Sequence, residues 1–198
     1  MKKLITFSII CFFFSCSSNK RTIINEFIKE IKTPLNGKNS DSILIVDKSY
    51  NINPSFFKSY LKAEEYSKRT NIYGDFNWIK NYIWSLSKED ISYLENEAIK
   101  SKTIKFKKKC FVGNVKLVQY DSIINSISNK TNEKAIVSGL YTYSISSPIF
   151  NKKKDIAIIY LNTLIPNNSR QLQRNKTVIY KKENNNWFKI CLVGDSIE

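Results

Sequence analysis

The sequence predicts an α+β fold in which N-terminal helices pack on one face of a twisted antiparallel β-meander. Two observations lead to this prediction. In the first half of the chain, apolar residues recur at the three- and four-residue spacing of amphipathic helices. In the second half, β-branched and aromatic runs are separated by Asn, Lys and Gly, which is the pattern of short strands joined by turns.

The first predicted helix carries an apolar stripe and ends at Thr33 and Pro34, because proline lacks the amide that would continue the helix. The stripe consists of Ile23, Ile24, Phe27, Ile28 and Ile31. The short apolar run at residues 42–47 follows and predicts a buried strand.

Two further helices are predicted from their start signals. Asn53 is a good capping residue and Pro54 suits the first helical position, so a helix is expected to begin there. Ser87 and Asp90 have the spacing of a capping box. The apolar positions that follow are Phe57, Tyr60 and Leu61 in one helix, and Ile91, Leu94 and Ala98 in the other.

Six apolar runs in the second half predict the strands of the sheet. They cover residues 103–106, 110–118, 135–145, 155–164, 177–182 and 187–193. The polar Asn-rich stretch between the last two runs predicts a β-hairpin.

The first fifteen residues have the order of a secretory signal peptide. Lys2 and Lys3 precede an apolar run over residues 4–14, and the small Ser15 follows it. The run has about half of the ~20 residues that a membrane-spanning helix needs. The segment therefore predicts export and not a permanent transmembrane helix.

The cysteine after Ser15 makes the segment resemble the lipobox of bacterial lipoproteins. In that family the cysteine takes a diacylglycerol and the signal is cleaved before it. The resemblance implies that Cys16 is acylated and anchors the chain in a lipid bilayer. The expected organisation is a signal peptide over 1–15, a short acylated tether over 16–20 and a single α+β domain over 21–198.

Residues 17–21 (SSNKR) are basic, whereas an acidic tract after the acylated cysteine marks surface export in Bacteroidota lipoproteins. The resemblance therefore implies the periplasmic leaflet of the outer membrane. A tether of about four residues reaches less than ~15 Å. We expect Lys20, Arg21, Lys29 and Lys32 to lie near anionic headgroups.

The last quarter of the chain resembles two sets of proteins. One is the NTF2-like and cystatin-like class of α+β domains. The other is a set of small Bacteroidota lipoproteins with a Ser-x-Pro-Ile-Phe segment, a Lys-rich turn, an apolar strand and a Trp-bearing hairpin. Here these segments are residues 146–150, 151–155, 156–162 and 177–190. The resemblance transfers no catalytic residue.

The composition narrows the function classes. The net charge is +15, but the chain has 28 Lys and only 4 Arg. Because nucleic-acid readers depend on the bidentate Arg fork, we expect no nucleic-acid partner and a basic surface suited to anionic lipid. No His is present, which excludes Ser-His and Cys-His catalysis and imidazole zinc sites. No catalytic residue, metal site or cofactor is predicted.

Cys110 and Cys191 are the cysteines of the mature chain besides the anchor. An oxidising envelope allows them to form a disulfide. The alternative is two separately buried thiols that act as small apolar side chains.

Residues 71–84 concentrate aromatic side chains among Asn and Asp. They are Tyr73, Phe76, Trp78, Tyr82 and Trp84. One interpretation is a ligand platform on which glycans stack, and the alternative is that these rings fill the core beside the helices.

The tripeptide Asp-Ser-Ile occurs three times and resembles the acceptor sequence of the general O-glycosylation system of Bacteroidota. The resemblance implies O-glycans on Ser42, Ser122 and Ser196.

Together these features predict a membrane-anchored cell-envelope lipoprotein with a non-catalytic domain that binds a partner protein or an envelope component. The alternatives are a small-molecule or glycan-binding pocket of NTF2-like type, and a carboxylate-dependent hydrolase. A filled core with exposed apolar side chains favours the first, a deep apolar cavity the second, and two facing carboxyls the third.

Overall fold

The computed structural model describes residues 18–29, 43–122, 142–164 and 174–194, and it has the predicted α+β class. The helices are α1 over residues 18–29, α2 (Ser55–Thr70) and α3 (Lys88–Lys100). Short 3₁₀ turns cover Lys80–Tyr82 and Lys108–Cys110. The strands are β1 (Ile43–Val46), β2 (Phe76–Trp78), β3 (Val115–Val118), β4 (Thr142–Ile145), β5 (Ile149–Phe150), β6 (Ile156–Leu164), β7 (Arg174–Glu183) and β8 (Asn186–Val193).

The eight strands form one sheet in the order β2-β8-β7-β6-β4-β1-β3, with β5 paired to β6. Strands β6, β7 and β8 form the antiparallel meander that the sequence predicts. Strand β1 lies between β3 and β4 and runs parallel to both. The sheet is therefore mixed, because a long crossover containing α2 and α3 returns the chain beside β1 in the same direction.

The predicted hairpin between β7 and β8 is confirmed and has a two-residue turn. Asn184 and Asn185 have φ values of 48° and 65°, which is the backbone of a type I′ turn. Asparagine tolerates this left-handed conformation better than other residues with a Cβ atom. Between Lys189 and Cys191 the register shifts, so Ile190 is an extra residue in β8.

Helices pack on both faces of the sheet, whereas the sequence predicted them on one. The cluster under α1 contains Ile23 and Phe27 together with Ala157 and Ile159 of β6. The cluster under α2 and α3 contains Ile158 from the opposite side of the same strand. The apolar run of β6 explains the difference, because a strand with apolar residues on both faces needs a cover on each.

Local signals placed the start of α3 correctly and that of α2 one residue early. Ser87 and Asp90 form the predicted capping box of α3, with Asp90 N donating to Ser87 Oγ at 3.0 Å. Helix α2 begins at Ser55 with Pro54 as its N-cap, and no side chain forms a cap hydrogen bond, whereas Asn53 was expected to cap the helix. Ser55 N still donates to Asn53 Oδ1 at 3.0 Å.

Helix α1 begins at residue 18, within the segment expected as the tether. Two strand boundaries were predicted wrongly. Residues 103–106, expected as a strand, contribute only an isolated bridge between Lys105 and Lys48. The predicted strand over residues 110–118 is strand only from Val115, because Gly113 adopts a φ of 91° that breaks the extended run.

Candidate binding surface

The segment that the sequence singled out for its aromatic residues lies at one edge of the sheet. Helix α2 ends at Asn71, whose φ of 61° turns the chain, and Gly74 has a φ of 56°. Strand β2 then pairs with β8 and with no other described strand. We call residues 71–84 the edge segment.

Six aromatic rings pack together between α2 and the edge segment, and we call them the aromatic cluster. They are Phe56, Phe57, Tyr60, Phe76, Trp78 and Trp84. The centroid of Trp84 lies 5.2 Å from Phe76, and 5.3 Å from both Tyr60 and Trp78. Such edge-to-face and tilted contacts contribute about 0.5–1.5 kcal/mol each beyond the buried area. Trp84 therefore packs against three other rings of the cluster.

Trp84 has a strained backbone, since its φ is 51° and a bulky residue rarely adopts this conformation. Contacts of the Trp84 side chain stabilise this strained backbone conformation. Trp84 Nε1 donates to Ser67 Oγ on α2 at 3.2 Å, in addition to the ring contacts. Surrounding contacts of this kind are what keep such a residue in place.

Tyr60 connects the cluster to the start of α3. Its hydroxyl oxygen accepts a hydrogen bond from Leu86 N at 3.3 Å. Burial raises the pKa of Tyr60 above its ordinary value, so the phenol stays protonated. Its role is therefore structural.

The five aromatic residues proposed as a ligand platform do not share one environment. Phe76, Trp78 and Trp84 contact one another inside the aromatic cluster, as the core interpretation expects. Tyr73 is exposed. Tyr82 is half-buried and donates its hydroxyl to Glu183 Oε1 at 2.8 Å.

The hydrogen bond to Glu183 is the main reason why the pKa of Tyr82 is raised, with desolvation adding to it. Lys181 Nζ lies 5.0 Å from the centre of the Tyr82 ring and 3.4 Å from Glu183 Oε1. This group ties the 3₁₀ turn after β2 to the end of β7.

The edge segment exposes aliphatic side chains on both sides of β2, among exposed polar residues such as Asp75 and Asn77. Ile79 is 46% exposed and Ile83 is 37% exposed, and Ile72 is exposed as well. Ile79 N donates to the carbonyl of Ile190, the extra residue in β8, so the backbone at this point is fixed to the sheet. The sequence alone does not single out these isoleucines, because their exposure depends on how the neighbouring rings pack.

Charge distinguishes the two edges of the sheet. Residues 71–79 contain no Lys or Arg, although the chain has 32 such residues. The opposite edge strand, β3, carries the exposed Lys116. Lysine on an edge strand discourages pairing with other chains. Strand β2 itself carries no lysine, and the first lysine of the edge segment is Lys80, two residues after the strand.

Two buried polar atoms lie next to the aromatic cluster. Trp78 Nε1 and Ser85 Oγ have no hydrogen-bond partner among the described residues. Buried polar groups are nearly always paired in folded proteins.

The clearest carboxylate pair in the described residues is Asp90 and Asp155. Both accept from Asn151 Nδ2, at 2.8 Å and 2.7 Å. Asp90 also accepts from the Ser87 hydroxyl at 2.9 Å within the capping box. These oxygens are engaged in structural hydrogen bonds, so the pair joins two elements and does not face an open cleft.

A second carboxylate lies at the carboxyl end of β1, in the parallel part of the sheet. Asp47 is buried, accepts from Tyr120 N at 3.2 Å and lies 3.5 Å from Lys105 Nζ. Beside it, Lys48 lies 3.6 Å from Asp121. Both carboxylates are thus paired with cations.

Cys110 and Cys191 are free thiols that pack on opposite faces of the sheet. Cys110 contacts the cluster under α1, and Cys191 lies in the cluster under α2 and α3. The structure therefore shows two separate thiols and no disulfide between Cys110 and Cys191. Burial raises the pKa of Cys191 to about 12, so this thiol is unreactive in the folded protein.

Other predicted sites lie partly outside the described residues. Cys16, Ser42 and Ser196 are all outside them. Ser122 is described and exposed, as an acceptor serine must be. Within the described ranges, no helix is long and apolar enough to cross a bilayer, and no group of three acidic, cysteine or histidine residues could hold a metal ion.

Comparison with known proteins found no match to a protein family, a curated protein or a solved structure.

Proposed function

We propose that this chain is a cell-envelope lipoprotein, anchored through acylated Cys16 at the periplasmic face of the outer membrane, whose domain binds a partner protein through the edge segment. The Lys2-Lys3 start, the apolar run and the Ser15-Cys16 pair support the anchor. Two or more acyl chains exceed what stable membrane attachment requires.

The position of α1 supports a close tether. The helix is described from residue 18, two residues after Cys16 in the sequence. Its residues Ile23, Phe27 and Ile28 are buried in the cluster on the sheet. A lipid on Cys16 therefore holds the folded sheet within a few residues of the bilayer, with Lys20 and Arg21 beside the headgroups.

One observation carries the binding function. In the edge segment the aromatic rings of β2 pack against each other and against Trp84. The isoleucines before and after them are exposed, next to an edge strand without lysine. Rings engaged on each other do not offer the open faces that glycan stacking needs. Exposed aliphatic side chains just before and just after an edge strand suit a protein that adds a strand there.

Site-specific photo-crosslinking in the native envelope tests the proposal. Benzoylphenylalanine replaces Ile79 or Ile83, and Ile99 serves as the control because it is 63% exposed on α3, away from the edge. We expect one protein adduct of the same mass from positions 79 and 83 and none from position 99. Equal adducts at all three positions, or none at 79 and 83, would overturn the assignment of the edge segment.

A charge substitution provides the matching loss-of-binding test. Ile79→Lys places on the β2 edge the type of residue that protects free edges. The crosslink from position 83 should then disappear, whereas Ile99→Lys should leave it unchanged.

A further inference from the structure

A run of three lysines lies in the segment that packs beside α1. The run is Lys107, Lys108 and Lys109, and it is flanked by Phe106 and Phe111. These two rings contact each other at 5.4 Å and belong to the same cluster as the buried side of α1.

A direct hydrogen bond fastens this segment to α1. Val112 N donates to Asn25 Oδ1 at 2.8 Å, across 87 positions of sequence. Because a helix rises 1.5 Å per residue, Asn25 lies about 10 Å along the axis from residue 18. The lysine run is thus held to the helix that follows the acylated cysteine.

The lysines of this run are free to meet an external anion. All three are exposed, and no ion pair among the described residues involves them. Residues 101–120 contain six Lys and no Asp or Glu. Next to the run, Val112 is 58% exposed, which adds an apolar side chain to a basic surface.

We propose that Lys107, Lys108, Lys109 and Val112 form a docking surface for the anionic headgroups of the bilayer that holds Cys16. This inference rests on the proposed lipid anchor, which brings the surface close to the membrane. Phosphate groups of anionic lipid are the partner, because lysine binds phosphate as a point charge and a membrane offers many phosphates side by side. Docking fixes the orientation of the domain on the membrane.

The chain contains a matched control run. Lys152, Lys153 and Lys154 are also consecutive, exposed and without an ion pair in the described residues. They follow Asn151, which is bonded to Asp90 of α3. Helix α3 covers the face of the sheet opposite α1, so this control run follows a residue bonded to the other helical layer and not to α1.

Amine labelling of the acylated full-length protein tests the orientation. The protein is reconstituted in vesicles of phosphatidylcholine alone, or of phosphatidylcholine and phosphatidylglycerol in equal amounts, and labelled lysines are counted by mass spectrometry. Each lysine near the anionic surface raises the equilibrium constant for docking about fivefold, so three lysines raise it about 100-fold. On anionic vesicles, labelling of residues 107–109 should fall by about this factor, while residues 152–154 stay unchanged.

Two pairs of substitutions separate the docking surface from general basicity. Lys107→Gln with Lys108→Gln leaves Lys109 as the reporter, and its labelling on anionic vesicles should rise about 25-fold. Lys152→Gln with Lys153→Gln should leave Lys109 protected. Salt at about 0.5 M should abolish the protection, because it shortens the screening length to a few ångströms.

The possible failures are distinguishable. Equal labelling of both lysine runs on anionic vesicles, in a protein whose mass includes the acyl chains, would overturn docking and leave the anchor in place. Protection that is the same on phosphatidylcholine alone would also overturn it, because headgroup charge would then play no part. A protein that carries no acyl chains would overturn the anchor and, with it, this inference.

Discussion

Asn151 Nδ2 donates to Asp90 Oδ1 at 2.8 Å and so joins the turn between β5 and β6 to the first turn of α3. The same side chain accepts from Asp155 N and Ile156 N through Oδ1, at 3.1 Å and 3.0 Å. Asn151 is 2% exposed, so water cannot replace these partners when the amide is lost.

Asn151→Ala should therefore lower the free energy of unfolding by about 2–4 kcal/mol, because it removes the hydrogen-bond partner of the buried Ile156 amide and one partner of each half-buried carboxylate. Urea denaturation followed by circular dichroism measures the change. Asn96→Ala is the control, since Asn96 is exposed on α3 and bonds only within its own helix. Equal effects of the two substitutions would contradict the structural role of Asn151.

Trp84→Ala should destabilise the protein by about 3–5 kcal/mol, because it removes a ring that packs against three others in the aromatic cluster. Tyr73→Ala, which changes an exposed ring of the same segment, should stay within about 0.5 kcal/mol of the wild type. Denaturation curves of the two variants distinguish the core interpretation of these rings from the ligand-platform interpretation. A stable Trp84→Ala variant would mean that the ring is held for a ligand.

Maleimide labelling should distinguish the two thiols in the folded protein. Cys110 is half-buried and should react first, whereas Cys191 should react only when urea unfolds the chain. Peptide mass spectrometry after each step identifies the labelled cysteine. A peptide pair joined by a Cys110–Cys191 disulfide in the native protein would contradict the placement of the thiols on opposite faces.

The raised pKa of Cys191 also predicts a dependence of stability on pH. Burial raises this pKa to about 12, above the ordinary thiol value of about 9, so the folded state keeps a proton that the unfolded state loses. The contribution is present below pH ~9 and declines as the pH rises towards 12. Between these values Cys191→Ala should lose less stability than the wild type, as measured by urea denaturation at each pH; parallel declines would contradict the prediction.

Cys16→Ser should abolish incorporation of a palmitate analogue, because the serine hydroxyl does not replace the thiol that takes the lipid. Metabolic labelling followed by gel fluorescence is the measurement. Cys11→Ser serves as the control and should be labelled like the wild type, since Ile10 before it is too large for a lipobox. Undiminished labelling of the Cys16→Ser protein would remove the proposed anchor.

Protease treatment of intact cells should leave the domain undigested, because the proposed position is the periplasmic leaflet of the outer membrane. After the outer membrane is permeabilised, the same treatment should digest it. Immunoblotting with an antibody to the folded domain reports both results. Digestion in intact cells would show that the basic residues 17–21 do not prevent surface export.

Features that depend on neighbouring residues could be predicted from the sequence alone. The capping box of Ser87 and Asp90 involves residues three positions apart, and the Asn184-Asn185 turn needs only the backbone preference of asparagine. The alternation of helical and strand periods was sufficient for the α+β class. The proposed acylation of Cys16 likewise rests only on the residues next to it in the sequence.

Long-range pairing decided the rest. Whether β1 would lie between β3 and β4 depends on partners 70 to 100 positions away, as in Ile43↔Val115 and Leu44↔Thr142. The resulting sheet carries helices on both faces. Cys110 packs in the cluster on one face and Cys191 in the cluster on the other, so the two thiols are apart. No local pattern records such contacts, because loop closure costs little more for distant segments than for near ones and burial chooses among them.

The candidate surfaces show the same division. The sequence alone identified the aromatic residues of the edge segment. Only the tertiary packing decided that Phe76, Trp78 and Trp84 contact one another while Ile79 and Ile83 remain exposed. The lysine run at 107–109 is visible in the sequence as charge. Its nearness to α1 depends on the hydrogen bond between Val112 and Asn25, which exists only once the chain has folded. The buried apolar side chains of α1 and its neighbours then hold the two segments together.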